Sequence, residues 1–206
     1  ELGSEQIKFH LGVSYRHLLV LSGYSEKLET FPPHDNVGKD AESLMIRGTS
    51  QEAETTAKMI NEMIRKSWKL LRNHPVNLKR IQAGKDPGNS IWPWSAGRKP
   101  QMKTFQEKFN ISGAVISAVD LIKGLGIYAG MEVINVKGAT GLSDTNYEGK
   151  AQAALDALKR HDLVYVHVEA TDEAGHSRDL DLKIKCIEFL DNRLVRPILA
   201  GLGTMA

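Results

Sequence analysis

From about residue 110 onward, short apolar runs alternate with amphipathic stretches, and this alternation restricts the fold more than any other feature. Gly113–Val119, Met131–Val136 and Leu163–Val168 read as strands. The segments between them, roughly Asp120–Tyr128 and Thr145–Arg160, read as helices, the second with Ala151, Ala154, Leu155 and Leu158 on one face. A short helix over Gln101–Phe109 precedes this series. A long one carrying Leu180, Ile184, Ile187, Leu190, Leu194 and Ile198 follows it. Strand–helix–strand order implies right-handed crossovers and a parallel sheet with both faces covered. The fold class is therefore α/β, with the main core in the carboxyl-terminal half.

The last of these strands carries the chemistry. Val164–Asp181 reads V-Y-V-H-V-E-A-T-D-E-A-G-H-S-R-D-L-D, a β-branched run that stops abruptly before an Asp and a His four residues apart. Open α/β sheets place their sites at the carboxyl ends of buried strands. Asp172 offers a hard anionic oxygen and His176 a neutral imidazole, a pair suited to a divalent cation such as Zn²⁺ or Mn²⁺. In this reading Gly175 lets a loop turn tightly enough for both to converge. In the alternative reading, Asp172 caps the next helix and His176 is an ordinary surface histidine.

The amino-terminal half is less regular. Residues 15–21 read as a strand, followed by a polar connection through Lys39. Thr49 to His74 reads as a helix, with Ala53, Ala57, Ile60, Ile64, Trp68 and Leu71 in one stripe. Thr49 and Glu52 form its capping box and Pro75 marks its end. Residues 84–100, rich in proline and glycine, read as a long ordered loop and a domain boundary. This divides the chain at 1–98 and 99–206. Trp92 and Trp94 read as packing anchors between the two parts.

Composition excludes several classes. A net charge of +2, with basic and acidic residues interspersed, does not point to nucleic acid. No apolar run reaches membrane-spanning length and the amino terminus has no signal-peptide pattern. One cysteine, Cys186, excludes an internal disulfide and reads as a small core residue. The expectation is a soluble, cytoplasmic protein.

Several blocks, in order, resemble one family. They are V-S-Y-R-H-L-L-V, P-P-H-D-N-V-G-K, H-P-V-N-L-K-R, I-W-P-W, G-A-V-I-S-A-V-D-L-I-K-G-L-G, G-A-T-G-L-S-D-T-N-Y-E-G-K-A and Y-V-H-V-E-A-T-D-E-A-G-H. From about Leu11 to Leu199 the chain is similar to the archaeal-type cofactor-independent phosphoglycerate mutases of the alkaline phosphatase superfamily. The resemblance implies a parallel-sheet metal-binding core, present here in part, with a smaller α/β insert domain over 1–98 that closes on the substrate. It also implies two divalent cations (Mn, Zn or Mg), no bisphosphoglycerate, and a glycolytic interconversion of 3- and 2-phosphoglycerate through a phosphoserine. Cations and domain closure would favour that chemistry by neutralising phosphoryl oxygens and keeping water out.

Carried onto this sequence, the resemblance makes Asp172 and His176 ligands of one cation. Lys123 becomes a contact to phosphate. Arg16, Arg80, His34 and Asp35 become candidates to hold the glycerate carboxylate and hydroxyls, each equally able to serve a structural ion pair. An amino-terminal metal-binding Asp, the nucleophilic serine and a late Asp-His pair with a further His are not recognisable. Ser117 and Ser143 lack the context of a nucleophile, so no catalytic residue is assigned within the chain. The expectation is an internal fragment, inactive alone, binding metal weakly and open to self-association. Thr171, Ser177–Arg178 and Lys137 depart from the family pattern around the metal loop. They leave room for a homoserine kinase-like phosphotransferase, and a non-catalytic binding module is the reading from a different class.

Overall fold

A 22-residue helix, α1 (Gln51–Arg72), organises the amino-terminal part of the computed structural model, which describes residues 1–12 and 16–203. The chain divides into two units, Glu1–Lys99 and Pro100–Ala206, each taken by itself below. In the first, the apolar stripe of α1 is buried as its spacing predicts, with Ala53, Ala57, Ile60 and Ile64 inside. Ser50, not Thr49, is the cap, its hydroxyl accepting from Ala53 N–H at 3.3 Å. The expected Thr49–Glu52 box does not form, because the Thr49 hydroxyl is donated to Lys27 O at 2.9 Å. Pro75 does not simply end α1; it opens a further helix, α2 (Pro75–Gln82), where its missing N–H costs nothing.

Two short antiparallel pairs precede α1. They are β1 (Ile7–His10) with β2 (Leu18–Leu21), and β3 (Leu28–Glu29) with β4 (Arg47–Gly48). The expected strand over 15–21 is β2, and its start at Tyr15 lies outside the described residues. Beyond α2 the proline- and glycine-rich segment has no helix or strand, yet it is tied down along its length. Asn77 donates to Gly88 O (2.6 Å), Ile91 N–H to Ser67 Oγ (3.0 Å) and Trp92 Nε1 to Phe31 O (2.8 Å). Ile91 and Trp92 pack against the cluster of Met45, Ile46, Ala57, Ile60 and Ile64, so Trp92 belongs to the core of the first unit.

The second unit is a mixed α/β layer structure. It opens with α3 (Phe105–Phe109), capped by a reciprocal Thr104–Glu107 box. Its sheet has three parallel strands in the order β6 (Glu132–Ile134), β5 (Gly113–Ile116), β7 (Leu163–Val166). Helix α4 (Asp120–Tyr128) connects β5 to β6, and α5 (Tyr147–Leu158) connects β6 to β7. Central β5 is wholly buried. Gly126 lets α4 lie close on it, since a side chain there would collide with Val115 Cγ1. Strand β7, expected to be buried, is an edge strand among the described residues and leaves Tyr165 half-exposed.

Three helices follow, α6 (Ala170–His176), α7 (Leu180–Leu190) and α8 (Arg196–Leu202). The expected single long helix is interrupted by a π-helical turn, Asp191–Val195, just before Pro197. A proline ring clashes with the carbonyl four residues back and lacks the N–H for it, so the ladder widens there. These elements bury Tyr147, Ala151, Ala170, Ala174, Cys186 and Leu194 in one cluster, with Cys186 a core residue as expected. No described helix is long and apolar enough to cross a membrane.

Candidate functional site

The carboxyl ends of the three parallel strands converge on one edge of the second unit, where α/β sheets bind their ligands. Strand β5 ends into Ser117, β6 into the loop that carries G-A-T-G, and β7 into His167, Val168 and Glu169 before α6 begins. Loop and strand exit meet, since a side chain built at Gly141 would lie 3.9 Å from Glu169 Cβ.

Asp172 and His176 are not on a loop, as the sequence suggested, but one turn apart on α6. The carbonyl of Glu169 accepts from the N–H groups of Asp172 (2.8 Å) and Glu173 (3.1 Å), which starts the helix directly at the strand exit. Gly175 is helical and its conformational freedom is unused. The turn is made instead by Arg178, at φ 57°, before α7. Nor does Asp172 cap α7, because Asp179 does so, accepting from Leu182 N–H at 2.9 Å. Four-residue spacing puts both side chains on one face, with His176 Nε2 3.2 Å from Asp172 Oδ2 and exposures of 72% and 65%.

The remaining candidates are dispersed. Lys123 leaves the first turn of α4, half-buried, and its ammonium has no hydrogen-bond partner among the described residues. In the first unit, His34 and Asp35 share a 3-10 turn, 3.8 Å apart, with His34 edge-on to Trp94 at 5.3 Å. Arg80, on α2, spends its Nε–H on the carbonyl of Asp86 (2.7 Å). Arg16 is exposed just ahead of β2. Among the described residues, His34 and Asp35 are brought together, while Arg80 is engaged elsewhere, by the loop that follows α2.

The strand ends also hold Ser117, which the sequence reading set aside as a nucleophile, and two residues that it passed over, His167 and Lys150. Ser117 is buried, its Oγ accepts from Val119 N–H (2.9 Å), and it lies 3.3 Å from His167 Nδ1. The other ring nitrogen, Nε2, is 3.1 Å from Glu169 Oε2. Lys150, on α5, is completely buried and donates to the carbonyl of His167 at 3.1 Å, and burial pushes its amine below the ordinary lysine range. Two signals were present. His167 is a polar residue in a strand-like run, and Lys150 shares the α5 face with Tyr147, Ala151 and Ala154.

Comparison with known proteins adds to this geometry. The chain is 53% identical over 200 residues to a Methanosarcina acetivorans protein named 2,3-bisphosphoglycerate-independent phosphoglycerate mutase, covering 97% of this chain. It spans about half the length (49%) of that curated relative. Among solved structures, a Pyrococcus horikoshii protein superimposes with a TM-score of 0.62 at 32% identity, over 73% of this chain and 40% of that one. The cofactor-independent phosphoglycerate mutase of Thermoplasma acidophilum does so with 0.52 at 29%, over 92% and 51%. A family described as the metalloenzyme superfamily matches residues 18–202.

The donor set can be tested against a cation. Two ligands bound at about 2.1 Å with tetrahedral geometry lie roughly 3.4 Å apart, close to the 3.2 Å between Oδ2 and Nε2. That separation is equally the length of a direct His–Asp ion pair, and the pair offers two donors of the four a tetrahedral site takes. Among the described residues no group of three His, Cys, Asp or Glu side chains stands ready to complete it. The family model spans residues 18–202, most of the chain, and the chain belongs to the metalloenzyme superfamily.

Proposed function

We propose that this chain supplies the cation-binding helix and the substrate-contacting residues of a cytoplasmic enzyme that interconverts 3-phosphoglycerate and 2-phosphoglycerate. The phosphoryl group moves within the molecule by way of a serine that lies outside this chain, without bisphosphoglycerate. The observation that carries the reading is the Asp172–His176 pair, exposed on one face of α6 at the exit of β7. Two divalent cations, when bound, would polarise phosphoryl oxygens and favour the alkoxide of the attacking serine. This chain's own part is to hold ligands and charge in place. Asp172 and His176 present an oxygen and a nitrogen to one cation. Lys123 offers an ammonium to the phosphate. Arg16, Arg80, His34 and Asp35, in the first unit, are assigned to the glycerate carboxylate and hydroxyls.

The test is an assay of the complete gene product containing this chain, given 3-phosphoglycerate and Mn²⁺ without bisphosphoglycerate. Formation of 2-phosphoglycerate is expected, together with loss of turnover and of bound metal in Asp172→Ala. Phosphorylation of homoserine from ATP, measured in parallel, would move the substrate to the kinase-like alternative. Silence in both assays from a folded, metal-loaded protein overturns the enzyme reading in favour of a binding module.

A further inference from the structure

The residue on which the strand ends converge is His167, and every polar group it has is engaged. Its N–H donates to Ile116 O at the end of β5 (2.8 Å), and its carbonyl accepts from the buried ammonium of Lys150 on α5 (3.1 Å). Its ring lies between Ser117 Oγ and Glu169 Oε2. Glu169 accepts from Nε2–H, and Nδ1 faces the Ser117 hydroxyl, which also has the Val119 carbonyl within reach at 3.4 Å. Ser117 is itself fixed by Val119 N–H, and the ring is four-fifths buried, so its orientation is set on both sides. Glu169, gripped by its side chain, holds the amide groups of Asp172 and Glu173, in the first turn of α6, with its backbone carbonyl. One chain of contacts therefore runs from the central strand, through the ring, to the helix that carries Asp172 and His176.

We propose that His167 is a positioning residue, which through Glu169 sets the start of α6 and with it the approach of Asp172 and His176 to a cation. This rests on the metal reading given above. Ligand pairs on short helices gain affinity when the helix is already formed, because the ordering cost is met before the ion arrives. Helix α6 has seven residues and no side-chain cap of its own, so its first turn depends on Glu169.

The experiment uses the 206-residue chain in wild-type, His167→Phe and His167→Gln forms. Amide hydrogen exchange of Asp172 and Glu173 is followed by NMR, and Mn²⁺ is then titrated while broadening of the His176 ring signals is recorded. In His167→Phe these two amides should exchange about tenfold faster, with β5 amides unchanged, because the opening is local. His167→Gln, which can still donate to Glu169, should recover part of the protection, and the wild-type ring should show the proton on Nε2. Mn²⁺ affinity at His176 should fall about tenfold in His167→Phe, the size of effect typical of groups that orient ligands.

Unchanged exchange at Asp172 and Glu173 in His167→Phe overturns the proposal, as does a uniform rise across the unit, which marks a fold-stabilising role only. Should His167→Phe fail to fold, Ser117→Ala removes one grip on the ring and is read in the same way. Absence of Mn²⁺ broadening in the wild type would sink the metal reading and the proposal with it, whereas broadening in the wild type with unchanged exchange in His167→Phe overturns the proposal and leaves the metal reading standing.

Discussion

Tyr147 buries its whole side chain in the second unit, and its hydroxyl finds no hydrogen-bond partner among the described residues. The ring is used fully, packed edge-on to Phe189 with the Arg193 guanidinium 4.9 Å from its centroid. The oxygen alone is at a loss, and burial pushes the phenol above its ordinary range. Tyr147→Phe keeps the ring and removes the desolvated group, so it should raise stability by about 1 kcal/mol. Chemical denaturation with an unchanged slope would read this as a shift in midpoint, and a loss of stability would show that the hydroxyl is bonded after all. At this scale the sequence is legible where chemistry has a fixed short spacing. Asp172 and His176 stand out because four residues make one helical turn, even though a loop was expected there. Ser117 and His167 are fifty positions apart and become neighbours only because β5 and β7 pair in parallel, so no local pattern announces them. The same holds for Lys150, whose burial is decided by the contents of the layer above it.

Between elements, the clearest tie is that from α5 to the π-helical turn. Arg193 donates Nε and Nη2 to the two oxygens of Glu148, at 2.6 and 2.9 Å, while its guanidinium covers the rings of Tyr147 and Phe189. The side chains are partly exposed, so the ion pair contributes only about 0.5–1 kcal/mol. Its pH dependence has a definite sign. Hydrogen bonding to Arg193 holds the Glu148 carboxyl below its ordinary value of 4.5. The contribution is thus complete above that value and is lost as pH falls through the lowered, folded-state value. Glu148→Gln should therefore be less stable than wild type at neutral pH, with the gap closing under acid. Paired thermal melts across pH 3–7 (about 4 units of span) test this, and a gap independent of pH would assign the loss to packing. Element existence was largely legible, and α4 occupies the span its apolar spacing indicates. Boundaries were not, because tertiary bonds decide them. Thr49 is drawn away to Lys27 and the cap moves to Ser50. Ser50→Ala should accordingly destabilise α1 by about 1 kcal/mol, seen as a lower unfolding midpoint. An unchanged midpoint would return the capping role to Thr49.

For the molecule as a whole, the alternation of strands and helices made the parallel sheet legible, but not how few strands this chain contributes. The sheet of the second unit has three, and both β6 and β7 are edges among the described residues. On one face, Phe105, Val115, Leu125, Met131, Leu163 and Tyr165 line an apolar cleft of about 320 Å³. Leu180, Ile184, Ile187 and Leu199 are exposed along the last helices. Such area costs free energy in water, and unpaired strand edges offer ready hydrogen-bonding partners. We therefore propose that the isolated chain self-associates, with Tyr165 on the edge strand inside the contact. Sedimentation velocity from micromolar to millimolar concentration should show a concentration-dependent dimer. Tyr165→Lys, which sets a charge on that edge, should return it to a monomer without lowering its unfolding midpoint. A strict monomer at the highest concentration would sink the idea, and dimerisation untouched by Tyr165→Lys would move the contact to the α7–α8 surface.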